Sequence, residues 1–148
     1  MKGVPDIMMD THCENIGVLF DSGINELGLS PETMTYYFIK SKAAKLMSNW
    51  HPRLSAGMYG MELLELCLER NGLNPPNLLE TGGISTRPEY WAGYMMAEYQ
   101  WIYEHSFMEI LDKVPFVKIV ESYHPLHEAS EEKFFDTMEY WMGKQGIK

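Results

Sequence analysis

Three observations predict an all-α fold, a single-domain bundle of about six helices around a buried central helix at about 87–105. Apolar residues recur at helical spacing in nearly every segment. The run from Thr86 to His105, TRPEYWAGYMMAEYQWIYEH, is apolar almost all round. Only Phe116 to Val120 is rich enough in β-branched residues to suggest a strand. That lone strand would have no partner, and Phe116, Ile119, Val120 and Tyr123 also fit a helical stripe, so it is assigned to helix. In the central run, at about 100° per residue, Trp91, Tyr94, Met95, Glu98, Trp101, Ile102 and His105 form one stripe. Ala92, Met96, Tyr99 and Tyr103 form a second, leaving Glu89, Gly93, Gln100 and Glu104 as a narrow polar strip. An acid in the middle of about 18 residues argues against a membrane span.

Length and composition agree. A chain of 148 residues suits one domain with a core of its own, read as a helical half 1–71, a loop 72–86 and a second helical half 87–148. Its mean hydropathy of -0.27 belongs to a chain that folds in water. A net charge of -9 disfavours a surface that must neutralise nucleic-acid phosphates and favours a basic partner or simple solubility. The opening MKGVPDIMMD soon turns acidic and polar, and the two cysteines, Cys13 and Cys67, lie within helical patterns. Both features predict a cytoplasmic protein with buried thiols. The twelve methionines are assigned mainly to the core.

Taken in order, Cys13, Ile16, Phe20, Ile24 and Leu27 repeat at helical spacing between about Asp6 and Leu27, a pattern weakened by Gly17 and Gly23. Ser30-Pro31-Glu32 is a helix start: serine caps the free backbone donors, and proline at the first position has no amide hydrogen to leave unpaired. Tyr36, Ile39, Ala43, Leu46, Met47 and Trp50 then predict one helix ending near His51-Pro52. Lys40 and Lys42 stand about 160° apart on its wheel, so Lys40, Lys42 and Lys45 read as a solvated surface. Met61, Leu64, Cys67 and Leu68 face inward on the next helix, which stops at Asn71-Gly72. GLNPPNLLETGGIS, 72–85, is the longest break, and its Gly82-Gly83 pair lacks the spacing of a phosphate-cradling loop. Ser106 to Glu109 is a capping box, Pro115 ends the helix it starts, and Ser130 opens the last helix with Phe134, Phe135, Met138, Trp141 and Met142 inward.

Few residues suggest chemistry. Glu98 lies amid the aromatic stripe, where a buried carboxyl could act as general acid or base with His105 beside it; a structural acid bonded to a neighbouring group competes with that reading. Glu62, Glu65 and Glu69 share an outer face that could meet a basic partner, or simply be hydrated. His124-Pro125-Leu126-His127-Glu128 is metal-like in composition, yet it lacks the H-E-x-x-H order, and Glu121-x-x-His124 supplies one pair where a di-iron bundle needs two. No metal and no cofactor are assigned. Neither cysteine has a diagnostic histidine partner, and no G-x-S-x-G elbow is present.

The segments Pro88-Glu89-Tyr90-Trp91-Ala92-Gly93, Tyr99-Gln100-Trp101, Ser106-Phe107, Ile110 and His127-Glu128-Ala129 resemble a family of small acidic bacterial proteins. Ala56-Gly57-Met58, Gly60 and Glu62-Leu63 look like its earlier block, so the resemblance runs from about Tyr37 onward. Such proteins are often encoded near small genes resembling ADP-ribosyltransferase-type toxins, which implies an antitoxin-like role. The family pattern has an aromatic residue at Glu98 and a small one at Tyr59, and it supplies no catalytic residues.

The expected function is therefore a non-enzymatic interaction protein that binds and neutralises a protein partner, a toxin or a defence enzyme with a basic site. Glu62, Glu65, Glu69, Glu98, His124, His127 and Glu128 are the candidate partner-binding residues. One alternative is a phage or mobile-element inhibitor whose acids imitate nucleic acid; another is an enzyme or small-ligand binder with a pocket near Glu98. The aromatic surplus would also serve a homodimer.

Overall fold

The computed structural model describes residues 1, 3–75 and 85–143. A 3-10 turn at Asp6–Met8 leads into α1 (Met9–Asn25), followed by α2 (Pro31–Lys40), α3 (Ala43–Ser48) and a π turn at Pro52–Ala56. Then come α4 (Gly60–Arg70), α5 (Pro88–Tyr103), α6 (Phe107–Lys113), α7 (Phe116–Glu121), α8 (Tyr123–Leu126) and α9 (Glu131–Trp141). The fold is all-α, and no strand occurs among the described residues. The segment 116–120 is helical, with Phe116 and Ile119 buried. Most of the expected loop at 72–86 lies outside the described residues.

Three helices, α2, α6 and α9, begin at a serine whose side chain satisfies one of the first amides. The hydroxyls of Ser30, Ser106 and Ser130 accept from the backbone N–H of Thr33, Glu109 and Lys133, at 3.1, 3.0 and 3.3 Å. Glu109 completes the capping box by accepting from the Ser106 N–H.

The single helix expected between Ser30 and Trp50 is instead two. Lys42 adopts a left-handed conformation (φ 73°), and the Ser41 hydroxyl donates to the Phe38 carbonyl while accepting from the Ala43 amide. One buried serine thus ends α2 and starts α3, letting the chain turn without changing its apolar spacing. Breaks of this kind make the helices shorter and more numerous than six.

One core draws on both halves of the chain: Ile16, Phe20, Phe38 and Leu64 join Met96, Tyr99, Phe107, Phe116 and Phe134 in a single buried cluster. The most extensive helix pair is α1 against α5. Their closest approach is at Gly93, where a Cβ would stand 2.9 Å from the Ile16 carbonyl oxygen and 3.0 Å from the Gly17 Cα. Two glycines allow the backbones to meet, so Gly17, which weakened the helix on propensity, serves its packing.

Helix α5 is buried over most of its length, as its composition requires. Its polar strip differs from expectation: Gly93 and Gln100 face the interior, while Ile102 and Tyr103 are exposed. Cys13 and Cys67 are free, fully buried thiols. Burial and the Glu98 and Asp10 carboxylates push Cys13 up; burial raises Cys67 to about 11 against the opposing Ser41 hydroxyl and Arg70 charge. Among the described residues no helix is long and apolar enough to cross a membrane.

Candidate partner-binding groove

Where α5 emerges beside α1, its aromatic residues form a wall. Tyr90, Trp91 and Tyr94, with Tyr123, His127, Ser85, Thr86 and Glu14, line a cavity of about 440 Å³. Trp91 sits edge-on to Tyr123 and Phe134 at 5.6 and 5.3 Å, an arrangement that fixes the indole between α8 and α9. The Tyr94 hydroxyl donates to Asp10 at 3.0 Å, and that of Tyr123 to the Thr86 carbonyl at 3.4 Å.

A second cavity, about 420 Å³, continues from the other side of Glu14 and is lined by Thr11, Asn15, Ala56 to Tyr59 and Glu62. Asn15 holds its floor by donating to the carbonyls of Ser55 and Met58. Glu62 accepts from the Tyr59 amide at 2.9 Å, and the Tyr59 ring stands 78% exposed above it. Glu14 lines both cavities, so they adjoin along α1. The local field is negative: burial first, then Glu14, raises the Tyr90 hydroxyl to about 12, and burial, Cys13 and the Asp10 contact raise Tyr94.

An ion pair at the start of α5 positions this wall. Arg87 donates from Nε and Nη2 to the two oxygens of Asp21, each at 2.9 Å, and Asp21 is fully buried in α1. Asn25 donates to the same carboxylate at 2.9 Å. The bidentate geometry fixes where the central helix starts relative to α1.

The candidates from the sequence are distributed unevenly. Glu62 and His127 lie on the groove, at opposite sides of Glu14. Glu65 is half-buried and Glu69 exposed on α4, lining neither cavity. Glu98 is only 5% exposed, so it offers little to a partner. Its carboxyl bonds that of Glu131, as a structural acid would bond a neighbour, while its Oε1 is buried with no partner. Burial raises its carboxyl to about 7, helped by the hydrogen bond with Glu131, which needs a shared proton, and by the charges of Glu131 and Asp10. His105 does not join it; its ring pairs with Glu109 at 3.3 Å and stacks on Tyr99. The pocket expected beside Glu98 is not the 440 Å³ cavity, whose walls do not include it.

The segment His124 to Glu128 differs from a simple surface loop. Backbone bonds from Leu126, His127 and Glu128 to Ser122, Tyr123 and Pro125 close it into a turn, and the ligating atoms of His124, His127 and Glu128 come within 4.8 Å of one another. A turn, rather than a continuous helix, brings these side chains together.

Sequence reasoning missed His12. Fully buried on α1, it is enclosed by Trp50, Trp101 and Phe107 and bonds Ser55 Oγ and Gln100 Oε1 at 3.1 and 3.0 Å. Its partners lie 43 and 88 residues away, so no local pattern announces it. Comparison of the chain with protein-family models, curated proteins and solved structures finds no match.

Proposed function

We propose that this protein is a non-enzymatic binding protein that neutralises a protein partner, antitoxin-like, by taking a basic segment of that partner into the groove over α1. The observation that carries this reading is the pair of adjoining cavities that share Glu14. Their walls combine Tyr59, Tyr90, Trp91, Tyr94 and Tyr123 with the carboxylates of Glu14 and Glu62. Aromatic faces and carboxylates together suit arginine and lysine side chains: the ring quadrupole attracts the cation, the acid pairs with it, and the rings cover its stem. A net charge of -9 speeds encounter with a basic site. Aromatic lining favours this reading over imitation of nucleic acid, which needs a continuous acidic face more than hydrophobic anchors.

The test is binding by groove variants. The product of the gene beside this one is expressed alone and together with the chain, and complex formation is measured with wild type, Glu14→Lys and Tyr59→Ala. Wild type should bind and restore growth. Glu14→Lys should weaken the complex at least about tenfold through charge reversal, and Tyr59→Ala by a smaller factor, while both fold normally. Moderate salt should loosen the complex without abolishing it, because the aromatic contacts are not screened. A complex indifferent to both substitutions would move the interface elsewhere and sink the groove reading.

A further inference from the structure

We propose that His124, His127 and Glu128 bind a divalent transition-metal ion of the Zn2+ class at the rim of the 440 Å³ cavity. Three donors, two imidazoles and one carboxylate, already converge, with their ligating atoms all within 4.8 Å of one another. A four-coordinate zinc ion with bonds of about 2.0–2.1 Å needs donor atoms about 3.3 Å apart, so the cluster must close by about 1.5 Å. The exposed members can supply that movement. The side chains of His124 and Glu128 are exposed and make no hydrogen bond among the described residues, His124 resting edge-on to the Tyr123 ring, so they can move, while His127 is the fixed point.

His127 is held as a metal-ligating imidazole usually is. Its Nδ1 lies 2.6 Å from the Tyr123 carbonyl oxygen, a pure acceptor, so Nδ1 carries the proton and the Nε2 lone pair is left free. Its ring lies flat on the Tyr123 ring, 3.8 Å between centroids and 4° between planes, which fixes the direction of Nε2. The His124 ring stands nearly perpendicular to it at 4.9 Å. A surface histidine with no task would not need both a backbone bond and a stacked ring to hold it. Two histidines and one glutamate make an open set: three protein ligands leave a fourth position for water or an incoming donor. Because His127 also lines the cavity, the cluster stands beside the groove, within reach of a carboxylate, thiolate or imidazole of a bound molecule that could complete the coordination.

The full chain, carrying no histidine tag, is titrated with Co2+, and the visible d–d absorption of the bound ion is followed before displacement by Zn2+. One equivalent should bind, and Zn2+ should displace it. His124→Gln, His127→Gln and Glu128→Gln should each weaken binding by about tenfold or more, with the circular dichroism spectrum unchanged. Glu121→Gln, which removes a nearby carboxylate outside the cluster, should bind as wild type does. In the unmutated protein, Zn2+ should shift the imidazole NMR signals of His124 and His127 and leave those of His12 in place, a readout that needs no variant to fold. No saturable binding, binding indifferent to the three ligand substitutions, or equal loss in Glu121→Gln would each overturn the site. The groove variants Glu14→Lys and Tyr59→Ala retain all three ligands, so failure here is separable from failure of the partner-binding reading.

Discussion

Two buried ionisable groups lie on the two helices that form the heart of this fold, and they are treated in opposite ways. His12 on α1 has every polar atom paired. The Gln100 amide donates to the carbonyls of Ser48 and His105, at 3.2 and 3.0 Å, which turns its oxygen toward His12 Nε2–H. His12 Nδ1 therefore accepts from the Ser55 hydroxyl, whose oxygen in turn accepts from the His51 amide. Glu98 on α5 has an oxygen with no partner, and its other bond is to another acid, Glu131, which holds only while a proton is shared; once ionised, Glu131 and Asp10 repel it. Burial drives both groups toward neutrality, lowering His12 to about 4 and raising Glu98 to about 7. The difference lies in the surroundings: one neutral group is built into a network that joins four segments, the other is left exposed to its own charge whenever the pH rises.

The largest loss should come from breaking the satisfied side. Gln100→Leu removes one donor–acceptor group and strands the His12 Nε2–H together with the carbonyls of Ser48 and His105. Unfolding in urea at pH 7 should show a loss of about 2 kcal/mol, the cost of one buried N–H and two part-buried carbonyls left unpaired at once. A loss below about 1 kcal/mol would show that water reaches these groups and that the network is not the element joining the segments.

Glu98→Gln probes the unsatisfied side and should change stability in the other direction. The folded carboxyl near 7 lies above its ordinary 4.5, so the folded state holds the extra proton between those values. The resulting stability is complete below about pH 4.5 and is lost as pH rises through 7. Glutamine keeps the shape and cannot ionise. The variant should therefore be more stable than wild type by about 2 kcal/mol at pH 8 and equal to it at pH 4.5. A variant no more stable at pH 8 would mean that the Glu98 carboxylate is solvated or paired with a cation in solution.

The contrast also marks what could be read from the chain. The central helix was legible because its apolar residues outnumber any surface it could have, and the start of α9 was legible in Ser130. Burial of Glu98 followed from the helical wheel alone. The isolation of its Oε1 did not, because that depends on what α9 brings opposite. Gln100 was assigned to the polar strip since a wheel sorts residues by type, whereas its place in the core is stabilised by His12, 88 residues earlier. The break at Ser41-Lys42 was hidden because the spacing Tyr36, Ile39, Ala43, Leu46, Met47 and Trp50 reads as unbroken, whereas α2 buries Met34 and Phe38 and leaves Tyr36 exposed. The Glu14 groove was invisible for a similar reason, since it is made by the meeting of separate segments, whereas His124, His127 and Glu128 stood out by composition and only their convergence in a tight turn was hidden.

The smallest expected effect is in the unmutated protein. His12 titrates near 4 when folded, below its ordinary 6.5, so its contribution is present above pH 6.5 and is lost as pH falls toward 4. Glu98 contributes in the opposite sense between 4.5 and 7. Over the shared window of about pH 4.5 to 6.5 the two slopes oppose each other, and their sum should change stability by less than about 1 kcal/mol. Thermal or urea unfolding across that window should therefore be nearly flat for wild type, while Glu98→Gln, which keeps the His12 slope and loses the one opposing it, should gain stability steadily as pH rises. A wild-type slope as steep as that of Glu98→Gln would show that Glu98 does not titrate there, and the difference between the two buried sites would then rest on hydrogen bonding alone.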